Sequence, residues 1–175
     1  MRATSSLSDT FMVGLRAQLQ ELFEKERAVV CEMQTLIARC RELAMQEALR
    51  TYLVTAVTAD NAASIACEFA GVATSVQDGL CTRWTTIFPL THTVAAPGAR
   101  EIDRAQHLAA ELIVDYSRAC KWAALLGIKP VALVLQQGLE NRRRGYETLQ
   151  RFYLQCREQV QESTYSESRV ITEAA

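Results

Sequence analysis

Residues 10–43, TFMVGLRAQLQELFEKERAVVCEMQTLIARCREL, carry the pattern that decides the fold. Their apolar residues alternate at spacings of four and three: Leu15, Leu19, Leu22, Val29, Met33, Leu36 and Leu43, with Cys40 on the same seam. A period near 3.5 residues held this long marks a helix packed nearly parallel to a neighbour. The same period returns three more times. Residues 47–76 give Leu49, Leu53, Ala56, Ala63, Cys67 and Ala70, and residues 100–126 give Ile102, Ala105, Ala109, Leu112, Tyr116, Ala119, Ala123 and Leu126. Residues 130–160 give Val131, Leu135, Gly138, Gly145, Leu149, Phe152 and Cys156. The sequence predicts an all-α four-helix bundle over residues 10–160, with polar, flexible ends at 1–9 and 161–175.

The connections refine the bundle. Gly127-Ile128-Lys129-Pro130 puts a glycine where one helix should stop and a proline where the next should start, so the third and fourth segments form a tight antiparallel pair. The first two segments turn near residues 44–47, where no glycine or proline stands, or else they form one continuous helix. Between the second and third segments lies the only long loop, residues 75–99, broken by Gly79, Pro89, Pro97 and Gly98. A helix of ~30 residues is about 45 Å long, and some 24 extended residues reach about 75 Å. The loop can therefore cross the whole bundle, which is the ferritin-like connection pattern. Its Trp84 and Phe88 read either as a lid over the bundle end or as a dimer contact.

Composition excludes several classes. The 175 residues include only 7 glycines and 3 prolines, too few for the turns of an all-β domain. Nineteen Lys plus Arg balance 20 Asp plus Glu for a net charge of −1, which argues against a nucleic-acid-binding face. No apolar run reaches the roughly 20 residues that span a bilayer, and residues 1–10 lack the apolar core of a secretory signal. The expected location is cytoplasmic. The six cysteines form no C-x-x-C pair and lie far in sequence from His92 and His107, so they read as small apolar residues rather than zinc ligands or disulfides. Phosphate loops, nucleophile elbows and H-E-x-x-H pairs do not occur.

The informative residues are the charges that interrupt the seams. Glu26 falls between Leu22 and Val29, Asp60 between Ala56 and Ala63, and Arg142 between Gly138 and Gly145. A buried ion must be paired or hold a metal. The predicted arrangement is a polar layer in which Glu26 and Asp60 pair with Arg142, with the two glycines leaving room for the guanidinium. The competing arrangement leaves these charges hydrated at the bundle surface. His107, Glu111 and Asp115 follow one another at i, i+4 on the third segment, as a solvated flank or as ligands suited to iron, manganese or zinc.

Three stretches resemble the YciF/YciE-like branch of the ferritin-like superfamily: residues 19–26 (LQELFEKE), residues 116–127 (YSRACKWAALLG) and the spacing of residues 131–149. Residues 58–69 match its second helix more weakly. The resemblance implies a homodimer, a stress-related role and a dinuclear centre held by carboxylates and histidines. Carried over by position, Glu26 matches the first-helix glutamate. Val54 stands where a histidine is expected, Ala109, Ala110 and Leu112 surround the single acidic Glu111, and Arg142 replaces a glutamate. The expectation is a non-catalytic scaffold or partner-binding protein without a cofactor, its metal site replaced by Glu26, Asp60 and Arg142. The alternative is an iron or manganese protein using Glu26, Asp60, His107 and Glu111.

Overall fold

The computed structural model describes residues 3–74 and 99–173. They form four helices: α1 (Ala3–Arg39), α2 (Leu43–Phe69), α3 (Ala99–Leu125) and α4 (Lys129–Glu173). Among the described residues there is no strand, and no helix is long and apolar enough to cross a membrane. Helix covers most of residues 1–9 and 161–175, the stretches expected to fray. Neither contains a glycine or proline to stop it. The predicted crossover, with Trp84 and Phe88, lies outside the described residues.

The first turn falls earlier than residues 44–47, and α1 and α2 are separate helices. Helix α1 stops at Arg39, and Glu42 is extended at φ −85, ψ 123. The Gln46 amide supplies what a glycine would otherwise do, donating from Nε2 to the Cys40 carbonyl at 2.6 Å. That carbonyl is one of those a helix end leaves without a partner. Because the chain reverses before it, Leu43 leaves the seam and is 80% exposed.

The ends of α2 and α3 use glycine. Gly127, at φ +69, lets Ile128 N–H reach the Ala123 carbonyl at 3.0 Å. Gly71, at φ +67, does the same at the end of α2, where Val72 N–H donates to Cys67 at 2.8 Å. Both are Schellman closures, which need a left-handed residue.

Helix α1 lies beside α2 and α3, and α4 lies beside the same two, so α1/α4 and α2/α3 face each other across the diagonals. Ion pairs Lys25–Asp115 and Arg104–Glu32 show α1 and α3 to be antiparallel. Tyr52 meets Gly145, while Ala48 shares a groove with Phe152, so α2 and α4 are antiparallel too. With both hairpins, every adjacent pair is antiparallel and each diagonal pair is parallel. The Arg16 Nε–H donates to the Ala70 carbonyl at 2.9 Å, placing the end of α2 beside the start of α1. The start of α3 lies at the opposite end, where Arg104 meets Glu32.

The seams supply most of the core; Leu43 is exposed, Leu126 and Phe152 are half-buried, and one position shifts. Leu53 is only half-buried, and Tyr52 takes its place with no exposed surface. From Leu49 to Ala56 the steps four-three and three-four are both helical, so spacing alone does not choose between residues 52 and 53. The space opposite Gly145 does.

Candidate functional site

The three charges that interrupt the seams are the three charged side chains buried among the described residues: Glu26, Asp60 and Arg142. Arg142 is the largest side chain in the core with no exposed surface, and Glu26 has none either. The guanidinium on α4 grips the carboxylate on α1 with both arms. Nε–H donates to Oε1 at 2.8 Å, and Nη2 meets Oε2. Its remaining arm, Nη1, donates to the Tyr52 hydroxyl on α2 at 2.7 Å. Burial pushes the guanidinium down to about 9, which still leaves it cationic at neutral pH beside the carboxylate. Burial likewise holds the Tyr52 phenol well above its usual range, so the hydroxyl stays protonated. Nε–H···Oε1 is the hydrogen bond of the pair, while Nη2 and Oε2 stand opposite each other as an ion pair without a hydrogen bond of good geometry.

Gly138 and Gly145 do not serve as space for Arg142, as the sequence suggested. Each instead admits a tyrosine ring. A Cβ at Gly145 would stand 2.9 Å from two carbons of the Tyr52 ring, and one at Gly138 would overlap Tyr116, with Cζ at 2.8 Å. Both rings are fully buried. The Tyr116 hydroxyl donates to the Ala59 carbonyl at 2.7 Å, joining α3 to α2 across the second diagonal. Thus each diagonal is tied by a polar contact, Glu26–Arg142 on one and Tyr116–Ala59 on the other. Tyr52 and Tyr116 are the functional residues the sequence reading missed as polar groups. The usable signal was a pair of glycines in a helix interior, seven residues apart, facing aromatic residues on the other seams.

Asp60 does not join Arg142. Its carboxylate is buried, and Oδ1 lies 3.2 Å from Nε of Arg27, whose own side chain is half exposed. That oxygen has no hydrogen bond of good geometry. Burial raises the Asp60 carboxyl above its ordinary value, and Arg27 offsets the rise only in part. Arg142 is already committed to Glu26 and Tyr52, so Asp60 takes its counter-charge from the surface.

The alternative metal set is not assembled. Among the described residues no three His, Cys, Asp or Glu side chains come close enough to hold a metal ion. Both Glu26 oxygens are held by Arg142. His107 is exposed and sits 3.1 Å from the carbonyl of Asp103 on its own helix. Glu111 is also exposed. Asp115, the third member of their stripe, is engaged by Lys25 at 2.7 Å across the α1–α3 contact. Val54, at the expected histidine position, is 68% exposed and faces away from the core. The donor set therefore does not fit a dinuclear centre.

Of the basic run after Asn141, only Arg142 enters the core; Arg143 and Arg144 are exposed. Cys31, Cys40, Cys67 and Cys120 are free thiols. Burial pushes the Cys67 thiol up to about 11, so it behaves as a small core residue and not as a nucleophile. The layer as a whole is charge-neutral, enclosed and internally bonded, an arrangement suited to fixing helix register.

Comparisons with protein-family models, with curated proteins and with solved structures give no match.

Proposed function

We propose that the chain is a non-catalytic helical scaffold of ferritin-like architecture, in which the Glu26–Arg142 pair stands where such bundles hold two metal ions. The observation that carries this reading is the two-armed burial of Arg142 against Glu26. A guanidinium at the centre of the bundle supplies the positive charge that metal ions would otherwise bring, and repels a cation placed beside it. The parallel sense of α2 and α3, with α2 ending and α3 starting at opposite ends of the bundle, supports the long crossover of that architecture. Resemblance alone names no reaction. Among the described residues no three His, Cys, Asp or Glu side chains come close enough to hold a metal ion.

Metal analysis and ultraviolet–visible spectra of the full chain, before and after incubation with ferrous iron or manganese, test the reading. The expected result is no stoichiometric metal and no new absorbance. A stoichiometric dinuclear load would overturn it. In Arg142→Glu, two carboxylates face each other in the core, so the variant unfolds at much lower denaturant than the parent. Partial recovery of stability with manganese would support descent from a metal-binding bundle.

A further inference from the structure

Among the described residues, the outer face of α2 gathers several exposed large apolar side chains on one side of a helix. Val54, Val57, Ile65 and Phe69 are 68%, 41%, 42% and 58% exposed, and at 3.6 residues per turn they share one side of the helix with Thr58 and Asn61. Between Arg50 and Glu68 the helix carries one charge, Asp60, and that is buried toward Arg27. The exposed hydroxyls of Thr51 and Thr58 donate to the carbonyls of Glu47 and Val54, each at 2.9 Å. Covering this face would strand neither donor. An apolar strip of this kind, closed by charge at each end, is a contact surface.

The two end charges indicate the occupant. Arg50 and Glu68 are both exposed, opposite in sign and equidistant in sequence from residue 59. Val57 and Asn61 are equidistant from the same point, and Val54 and Ile65 nearly so. A strip with this symmetry is complementary to itself when turned about a two-fold axis. We propose that a second copy of the chain docks here, its α2 antiparallel to the first and crossing it near residues 57–61. Arg50 then meets Glu68 of the partner subunit at both ends, and Val54 packs against Ile65 of the partner subunit. Arg50 has donors to spare for this contact. It reaches only Gln46 at 3.3 Å and Glu47 at 3.7 Å, both on its own helix and exposed. The buried layer takes no part, so this interface stands or falls apart from the scaffold reading.

Sedimentation velocity of the full chain, from low to high micromolar and at low salt, tests the proposal. The expected species is a dimer. Ile65→Glu should be monomeric with an unchanged circular dichroism spectrum. R50E and E68R should each weaken the dimer by roughly tenfold or more, because like charges then meet at both ends. Mixing the two variants should restore dimers, since the mixed pair has opposite signs at both contacts. A monomeric parent protein, a dimer that survives Ile65→Glu, or a mixture no tighter than either variant alone would overturn it.

Discussion

Arg142 of α4 and Glu26 of α1 meet across a diagonal of the bundle, 116 positions apart in the chain, with no exposed surface on either. Adjacent helices can slide along one another at modest cost when their contact is purely apolar. A two-armed ionic contact through the centre cannot follow a one-turn slip, because each ion would lose its partner in a medium that does not hydrate it.

Breaking that contact from one side should be far worse than removing it. Arg142→Met or Glu26→Leu alone should destabilise by about 3–5 kcal/mol, while the double variant should lie much nearer the parent. Urea unfolding of all four proteins measures the difference as a coupling energy. Single variants that lose less than about 1 kcal/mol would show the pair to be solvated.

Glycine-to-alanine changes in α4 should run against helix propensity. Alanine favours a helix interior by about 1 kcal/mol over glycine. At Gly138, however, the new methyl group meets the fully buried Tyr116 ring, and at Gly145 it meets Thr55 Oγ1 at 2.5 Å and then the fully buried Tyr52 ring at 2.9 Å. Overpacking of this kind costs typically 1–3 kcal/mol. Both variants should therefore melt below the parent, and relief by Tyr116→Leu in the Gly138→Ala background would identify the ring as the cause.

Alkaline pH should unfold the protein through its tyrosines. An ordinary phenol ionises near 10.0, while burial holds Tyr52 and Tyr116 well above that value in the fold. Above pH 10 the native state then binds more protons than the unfolded chain, so stability falls as pH rises. The full contribution is present below 10. Each tyrosine adds a slope of up to about 1.4 kcal/mol per pH unit, and Arg142, pushed down to about 9 by burial, gives up its proton earlier in the fold and offsets one of the two slopes. Tyr52→Phe should flatten the alkaline loss, while lowering neutral stability by about 1–3 kcal/mol because Arg142 Nη1 loses its acceptor.

Asp60→Asn should have the opposite effect at neutral pH. The Asp60 carboxyl titrates above its ordinary 3.8 because burial outweighs the attraction of Arg27. The folded state thus holds this proton more tightly, and stability declines as pH rises from 3.8 through the raised value. The asparagine variant should be more stable than the parent at pH 7 and should lose that part of the pH dependence. Thermal melts at several values between pH 3 and 7 read both effects, and an unchanged profile would place Asp60 in water.

Local pattern alone determined the four helical segments and marked the charges that interrupt their seams, while leaving open whether those charges are buried or hydrated. Helical spacing depends only on neighbours along the chain, so the seams show Glu26, Asp60 and Arg142 as interruptions whatever the helices later pack against. The Gly127–Pro130 turn is legible for the same reason, since both residues act through their own backbone angles. Tertiary structure decided who pairs with whom. Arg142 could reach Glu26, Asp60 or both from its sequence position, and only the diagonal placement of α1 and α4 gives Glu26 both arms and leaves Asp60 to Arg27. It also decided what the glycines are for. An absent side chain says that something comes close, but not what; the rings of Tyr52 and Tyr116 arrive from other helices. The early turn at residues 40–42 was hidden for a related reason, because a glutamine side chain closes it instead of a glycine. Spacing is a property of one helix, while pairing and close approach are properties of several.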